Sequence, residues 1–128
     1  MKDYVMYHNP DVMRVPVTSV DPCTIVTNKG VREEIVGSRV WLITGEGKPR
    51  TFFLRSCFVV DKVVSGTTHG FKTKLLGKDC RPFDPMVNLS DQDWFEEFKR
   101  TQSNFRFGLQ VISDQNFVLR FEKSVNNL

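Results

Sequence analysis

The sequence predicts an α+β domain: a mainly antiparallel, curved β-barrel flanked by about three short helices. Two consecutive runs, residues 39–43 and 51–64, divide their side chains between two faces with the period of strands: Val40 and Leu42 against Arg39, Trp41 and Ile43, then Phe52, Leu54, Phe58 and Val60 on one side. The second run is too long to lie straight in a small domain, so it must bend as barrel strands do. The final third changes to helical spacing, with Trp94, Phe95 and Phe98 on one face and Val118, Phe121, Val125 and Leu128 recurring on another.

Taken in order, Tyr4 and Met6 alternate with Val5 and Tyr7 as a first strand, stopped by the turn-forming HNPD of residues 8–11. Residues 15–20 are extended, but Pro16 restricts them to an edge or an irregular segment. TNKGVREEIVG reads as a short helix, with Asn28 as its cap, Val31 and Ile35 on one face and Gly37 as its stop. A hairpin follows. If Thr44 faces Thr51, then Ile43 pairs with Phe52 and Trp41 with Leu54, with Phe52, Leu54, Phe58 and Val60 sharing a side. Gly45, Gly47 and Pro49 suit its connection. Residues 71–76 form another strand after the turn SGTTHG, which contains His69, and Lys72 and Lys74 lie on its wet face. In LSDQDWFEEFKR, Ser90 and Asp93 have the spacing of a capping box. NFRFGLQVI is extended, and Ser113 and Asp114 open the final helix. No repeat, linker or low-complexity stretch interrupts the chain, and residues 1–128 are read as one globular domain.

Composition agrees. The chain has 128 residues, 40% apolar and 26% charged, within the range of one soluble domain. Eleven Phe imply either a dense core or an aromatic-lined pocket. The net charge of +3 permits a polyanionic partner without demanding one. Its distribution is more telling: residues 62–81 carry five bases against one acid, whereas residues 84–97 carry five acids and no base. Cys23, Cys57 and Cys80 match no zinc spacing and are expected as reduced thiols, which places the protein in the cytoplasm. Neither a secretory signal nor a membrane span is visible.

The familiar phosphate loops fail. GEGKPR joins two strands and has Arg50 where a dinucleotide fingerprint needs glycine; GFKTKLLGKD has the wrong gap for a Walker loop. With only His8 and His69, and no clustered ligands, neither a metal nor a cofactor is expected, and catalysis is not favoured. The acids of DQDWFEEF suit a helix start. What remains is a basic, strand-rich surface interleaved with aromatics, the combination that binds nucleic acid by charge and stacking. Lys48, Arg50 and Arg55 of the hairpin would join Lys72, Lys74 and Lys78 in one phosphate-binding stripe. The plainer reading of alternating lysines is a solvated strand face, and that of Trp41 is a core residue.

The stretches YVMYHNPDVM and VGSRVWLITGEGKPRTFFLRSCFVVDKV resemble the PUA-like barrels, especially the EVE and YTH branch. The later DWFEEF and FRFGLQVIS are also similar to the N-terminal sensor modules that precede HNH nucleases in bacterial restriction-type proteins. The resemblance implies a barrel that binds DNA or RNA, with a flipped, modified base held in an aromatic pocket. It makes Tyr7, His8, Asn9 and Trp41 the candidate base contacts. His8 and Asn9 can equally serve only to shape the turn before Pro10. This chain has Gly37–Ser38 where the central EVE strand commonly opens on Gly–Asp. No nuclease follows Leu128, so the expectation is a stand-alone binding domain or half of a split system. The expected function is thus non-catalytic nucleic-acid binding. The alternative is a protein-interaction or small-ligand module, a partner protein meeting the acidic helix that runs from Asp91 to Arg100. A third class, a small ASCH-type hydrolase, would need Arg50 or Lys74 to meet Glu33 or Glu34 in one pocket.

Overall fold

The computed structural model describes residues 2–68 and 70–126. Six strands, β1 (Asp3–His8), β2 (Thr24–Thr27), β3 (Arg39–Glu46), β4 (Thr51–Thr68), β5 (Phe71–Asn88) and β6 (Gln110–Val111), form one sheet. Three helices accompany them: α1 (Pro10–Met13), α2 (Phe95–Thr101) and α3 (Gln115–Asn126). Single 3₁₀ turns occupy Val17–Ser19, Glu33–Ile35 and Ser103–Phe105. The sheet order is β2-β5-β4-β3-β1-β6, antiparallel except where β1 runs parallel to β3. Among the described residues no pairing joins β2 to β6. The expected barrel is therefore a curled half-barrel.

Curvature comes from bulges. The β4–β5 ladder shifts register at four places, and each shift increases the local bend and twist. At one of these, Arg55 is skipped on both sides: β3 passes from Ile43↔Leu54 to Leu42↔Ser56, and β5 from Leu54↔Val87 to Ser56↔Pro82. One extra residue reverses the side-chain alternation beyond it. Leu54 therefore points to one face and Phe58 and Val60 to the other, rather than sharing a side with Phe52 and Leu54 as the uninterrupted alternation predicts.

Two cores result. On one face Val5, Trp41, Ile43, Leu54 and Cys57 meet α2 and α3 through Trp94, Phe95, Phe98, Phe117 and Phe121. The rings interlock, with Trp94–Phe121 and Phe98–Phe117 centroids both 5.1 Å apart, a geometry that adds about 1 kcal/mol per pair beyond burial. On the other face Val17, Ile25, Ile35, Val40, Leu42, Phe58 and Leu75 form a second cluster, covered by the segments before and after β2. Gly77 lets these layers touch: a Cβ there would lie 2.7 Å from the Cys23 carbonyl oxygen.

Several expectations are corrected. The hairpin register is Glu46↔Thr51 and Ile43↔Leu54, two residues from the predicted one; a shift of two keeps each side chain on its face. Trp41 faces Cys57, not Leu54. Residues 28–36 hold only the 3₁₀ turn at Glu33–Ile35, because a stretch too short to nucleate a helix anchors itself by burying Ile35. The strand from Phe71 runs to Asn88, not Leu76. Ser90 caps nothing: its hydroxyl accepts from the Phe52 N–H at 2.8 Å, and α2 begins at Phe95. Residues 104–112 are a 3₁₀ turn and loop, extended only at Gln110–Val111. Cys23 and Cys80 are joined in a disulfide, and Cys57 alone is free. This removes the ground on which the cytoplasm was expected. The final helix is as predicted, with Asp114 accepting from Asn116 N–H at its start and Val118, Phe121 and Val125 buried. His69 and Leu128 lie outside the described residues.

Candidate ligand cleft

β1 ends at His8, and the chain turns back over the second core through α1 and residues 14–21. Between that returning segment and the β2–β5 edge lies a cleft of about 650 Å³, within the range of small-molecule sites. Its apolar wall includes Met6, Met13, Val20, Ile25, Leu42 and Phe71. His8, Asp21 and Lys74 are its ionisable groups, and Tyr7 borders it.

His8 is 6% exposed, with Nε2 2.9 Å from the Val15 carbonyl oxygen. A carbonyl only accepts, so Nε2 carries the proton, and Nδ1 is an acceptor when the ring is neutral. The same bond ties the returning segment to the sheet. The Tyr7 ring stacks on Phe105 at 5.4 Å and lies 5.8 Å from Phe52, so it belongs to the helix-covered side. Burial raises the Tyr7 phenol above its ordinary pKa; Arg50 opposes the shift and Asp11 adds to it. Glycine is required at position 45, where a Cβ would sit 2.5 Å from the Tyr7 hydroxyl.

Asn9 caps α1, accepting from the Asp11 N–H at 3.0 Å. Arg50 pairs with Asp11, approaches Asn9 Oδ1 at 3.4 Å and donates to the Gly45 carbonyl at 3.4 Å. Both side chains are thus committed to holding α1 against the hairpin. Lys48 is exposed at the hairpin tip. Arg55 borders a separate depression with Thr18, Asp84 and Met86, and its Nε–H is buried without a partner.

Trp41 is not available as a base contact. It is 1% exposed, stacked on Phe121 at 5.2 Å, with its Nε1–H donating to Asp3 Oδ1 at 3.0 Å and the Arg39 guanidinium 4.8 Å from its ring centroid. Position 41 faces the helices because β3 alternates about Val40 and Leu42, which take the cleft side. Nor do the six basic residues make one stripe. Lys48 and Arg50 sit at the end of β4 where Phe53 faces Asn88, whereas Lys72 and Lys74 sit at the far end, where Ser65 faces Thr73. Lys72 and Lys78 are exposed on β5. Glu34 lines a different depression with Lys2 and Lys29, so neither Arg50 nor Lys74 meets it in the cleft.

The structure thus brings His8 and Lys74 to one cleft, with Tyr7 at its border and its ring turned to the helix-covered side. Sequence reasoning missed Phe71, Met13 and Asp21; Phe71 is remote in sequence from the other two and meets them only because residues 14–21 fold back. Among the described residues no cluster of three His, Cys, Asp or Glu side chains could hold a metal, and no helix is long and apolar enough to cross a membrane. No family model, curated protein or solved structure matches the chain.

Proposed function

We propose that the protein is a PUA-like nucleic-acid-binding module in which the cleft receives one unstacked base. One observation carries this reading: His8 and Lys74, candidates for reading a base edge and holding a phosphate, line the same cleft as the aromatic Phe71. Phe71 takes the stacking role expected of Trp41. His8 Nδ1 supplies an acceptor, and Lys74 supplies the cation that a base brought in on its phosphate needs. The exposed Lys72 and Lys78 continue the charge along β5.

Titrating labelled single-stranded and duplex oligonucleotides, with plain and modified bases, tests it. Phe71→Ala is expected to cost about 1–3 kcal/mol of binding, the worth of one base–aromatic stack. Wild-type affinity in a folded Phe71→Ala variant, or no binding by the wild type at low salt, would remove the proposal. A second reading has its own support. The wall is dominated by flexible Met6 and Met13 with branched aliphatics, which suits a small apolar ligand carrying one anionic group against Lys74. Such a ligand would raise the melting temperature without any oligonucleotide binding.

A further inference from the structure

The segment that walls the cleft is stapled to the sheet at its C-terminal end. Cys23, immediately before β2, is bonded to Cys80 of β5 with Cα atoms 5.8 Å apart and a sequence separation of 57. Ser19, Val20, Asp21 and Thr24, on either side of Cys23, all line the cleft. The other ties here are few. The Ser56 hydroxyl donates to the Pro22 carbonyl, the Gly77 N–H donates to the Cys23 carbonyl at 2.8 Å, His8 Nε2 donates to the Val15 carbonyl at 2.9 Å, and Val17 is fully buried. β2 is an outer strand held by four residue pairs.

The two sulfurs differ in access. Cys80 is exposed, whereas Cys23 is 5% exposed within the second core. A thiolate attacking Cys80 must expel Cys23, and a thiolate in apolar surroundings is a poor leaving group. Bond breaking is therefore coupled to movement of residue 23 into water. Cys57 takes no part, because it faces the opposite side of the sheet beside Trp41, where burial pushes its thiol up to about 12.

We infer that Cys80 is a site of thiol–disulfide exchange, and that breaking its bond to Cys23 frees the cleft wall at residues 14–23. One thiolate of an external dithiol bonds to Cys80 Sγ while the Cys23–Cys80 bond breaks, and Cys23 leaves as a thiolate that takes a proton from water. The second thiolate of the reagent then displaces Cys80, which is protonated in turn. The dithiol ends as a disulfide, two electrons have passed to the protein, and the two protons gained balance the two lost.

Hydrogen exchange on the full chain, with and without dithiothreitol, tests this. Reduction is expected to speed exchange at residues 14–24 roughly tenfold or more while β3 stays protected. Cys80→Ser should show the same pattern and no response to the reagent. Unchanged exchange at residues 14–24 once both thiols titrate as reduced would overturn the inference. So would loss of protection throughout the Cys80→Ser chain, since the bond would then hold up the whole fold. The effect on ligands rests on the proposed function: the reduced chain should bind an oligonucleotide about tenfold more weakly, because a loosened wall must be ordered on binding. Equal affinity of the two forms would refute that coupling. An oligonucleotide that binds neither form, while exchange still responds, removes the ligand reading and leaves the exchange site standing.

Discussion

Asp3, Arg39 and Trp41 show how a residue's role depends on what its neighbours commit to. Asp3 is 3% exposed and accepts from Arg39 Nε at 2.6 Å and from the indole N–H. Burial works against the Arg39 cation, yet the hydrogen bond and charge of Asp3 outweigh it and hold the guanidinium pKa above its ordinary value. Trp41 is thereby occupied on its polar edge and has Phe121 and the Arg39 guanidinium against its ring. Nearby, burial pushes the Cys57 thiol up to about 12, with Arg39 and Arg81 opposing. A raised folded pKa means that the unfolded chain loses this proton first. The contribution is complete below the unfolded value near pH 9 and declines as pH rises towards 12, by at most about 1.4 kcal/mol per pH unit. Denaturant unfolding of Cys57→Ala should show a shallower loss of stability across that window than the wild type, with the residual slope carried partly by Tyr7. An unchanged slope would show that the thiol is not protected by the fold. At this scale His8 and Lys74, both singled out by their chemistry in the sequence, do line one cleft, whereas Trp41 does not. Strand alternation states that positions 41 and 42 point opposite ways, not which way faces ligand.

The bulge at Arg55 is the feature of β4 that reading by period cannot see. Alternation on each side of it is legible: Phe52 and Leu54 before, Phe58 and Val60 after. All four positions are even-numbered, so an uninterrupted strand would put them on one face. The inserted residue divides them between two cores. Final-helix residues were legible for the opposite reason, since a helix carries its own period and needs no partner to define a face. Deleting Arg55 should restore continuous alternation and drive Phe58 and Val60 towards the helix side. It is expected to abolish cooperative folding, while Arg55→Ala, which keeps the extra residue, should retain a sigmoidal thermal transition. Circular dichroism melts separate the two. A folded deletion variant would show that the face change is set elsewhere in the strand.

At the scale of the whole molecule, the cleft exists because an open sheet curls and a non-strand segment lies across its second core. Neither fact has a local signature: residues 14–21 look merely irregular, and Lys74 is far from His8 in sequence. Curling also decides how charge is distributed. Lys48 stands at one end of the long strands and the β5 lysines stand away from it, Lys72 and Lys74 towards the other end and Lys78 midway where it faces Val59, with Lys74 lining the cleft. A strand of nucleic acid delivering a base to the cleft would touch the second group and miss the first. Removing one cation that pairs with a phosphate lowers the dependence of log affinity on log salt by about 0.7 for a single strand. Replacing Lys72, Lys74 and Lys78 with Ala should therefore reduce the slope by about 2, whereas Lys48→Ala should leave it unchanged. The measurement is a binding titration at several salt concentrations. If Lys48→Ala flattened the slope as much as a β5 lysine does, the polyanion would run along the hairpin tip rather than past the cleft. If no variant altered a measurable slope, the charges that hold the polyanion would lie elsewhere on the surface.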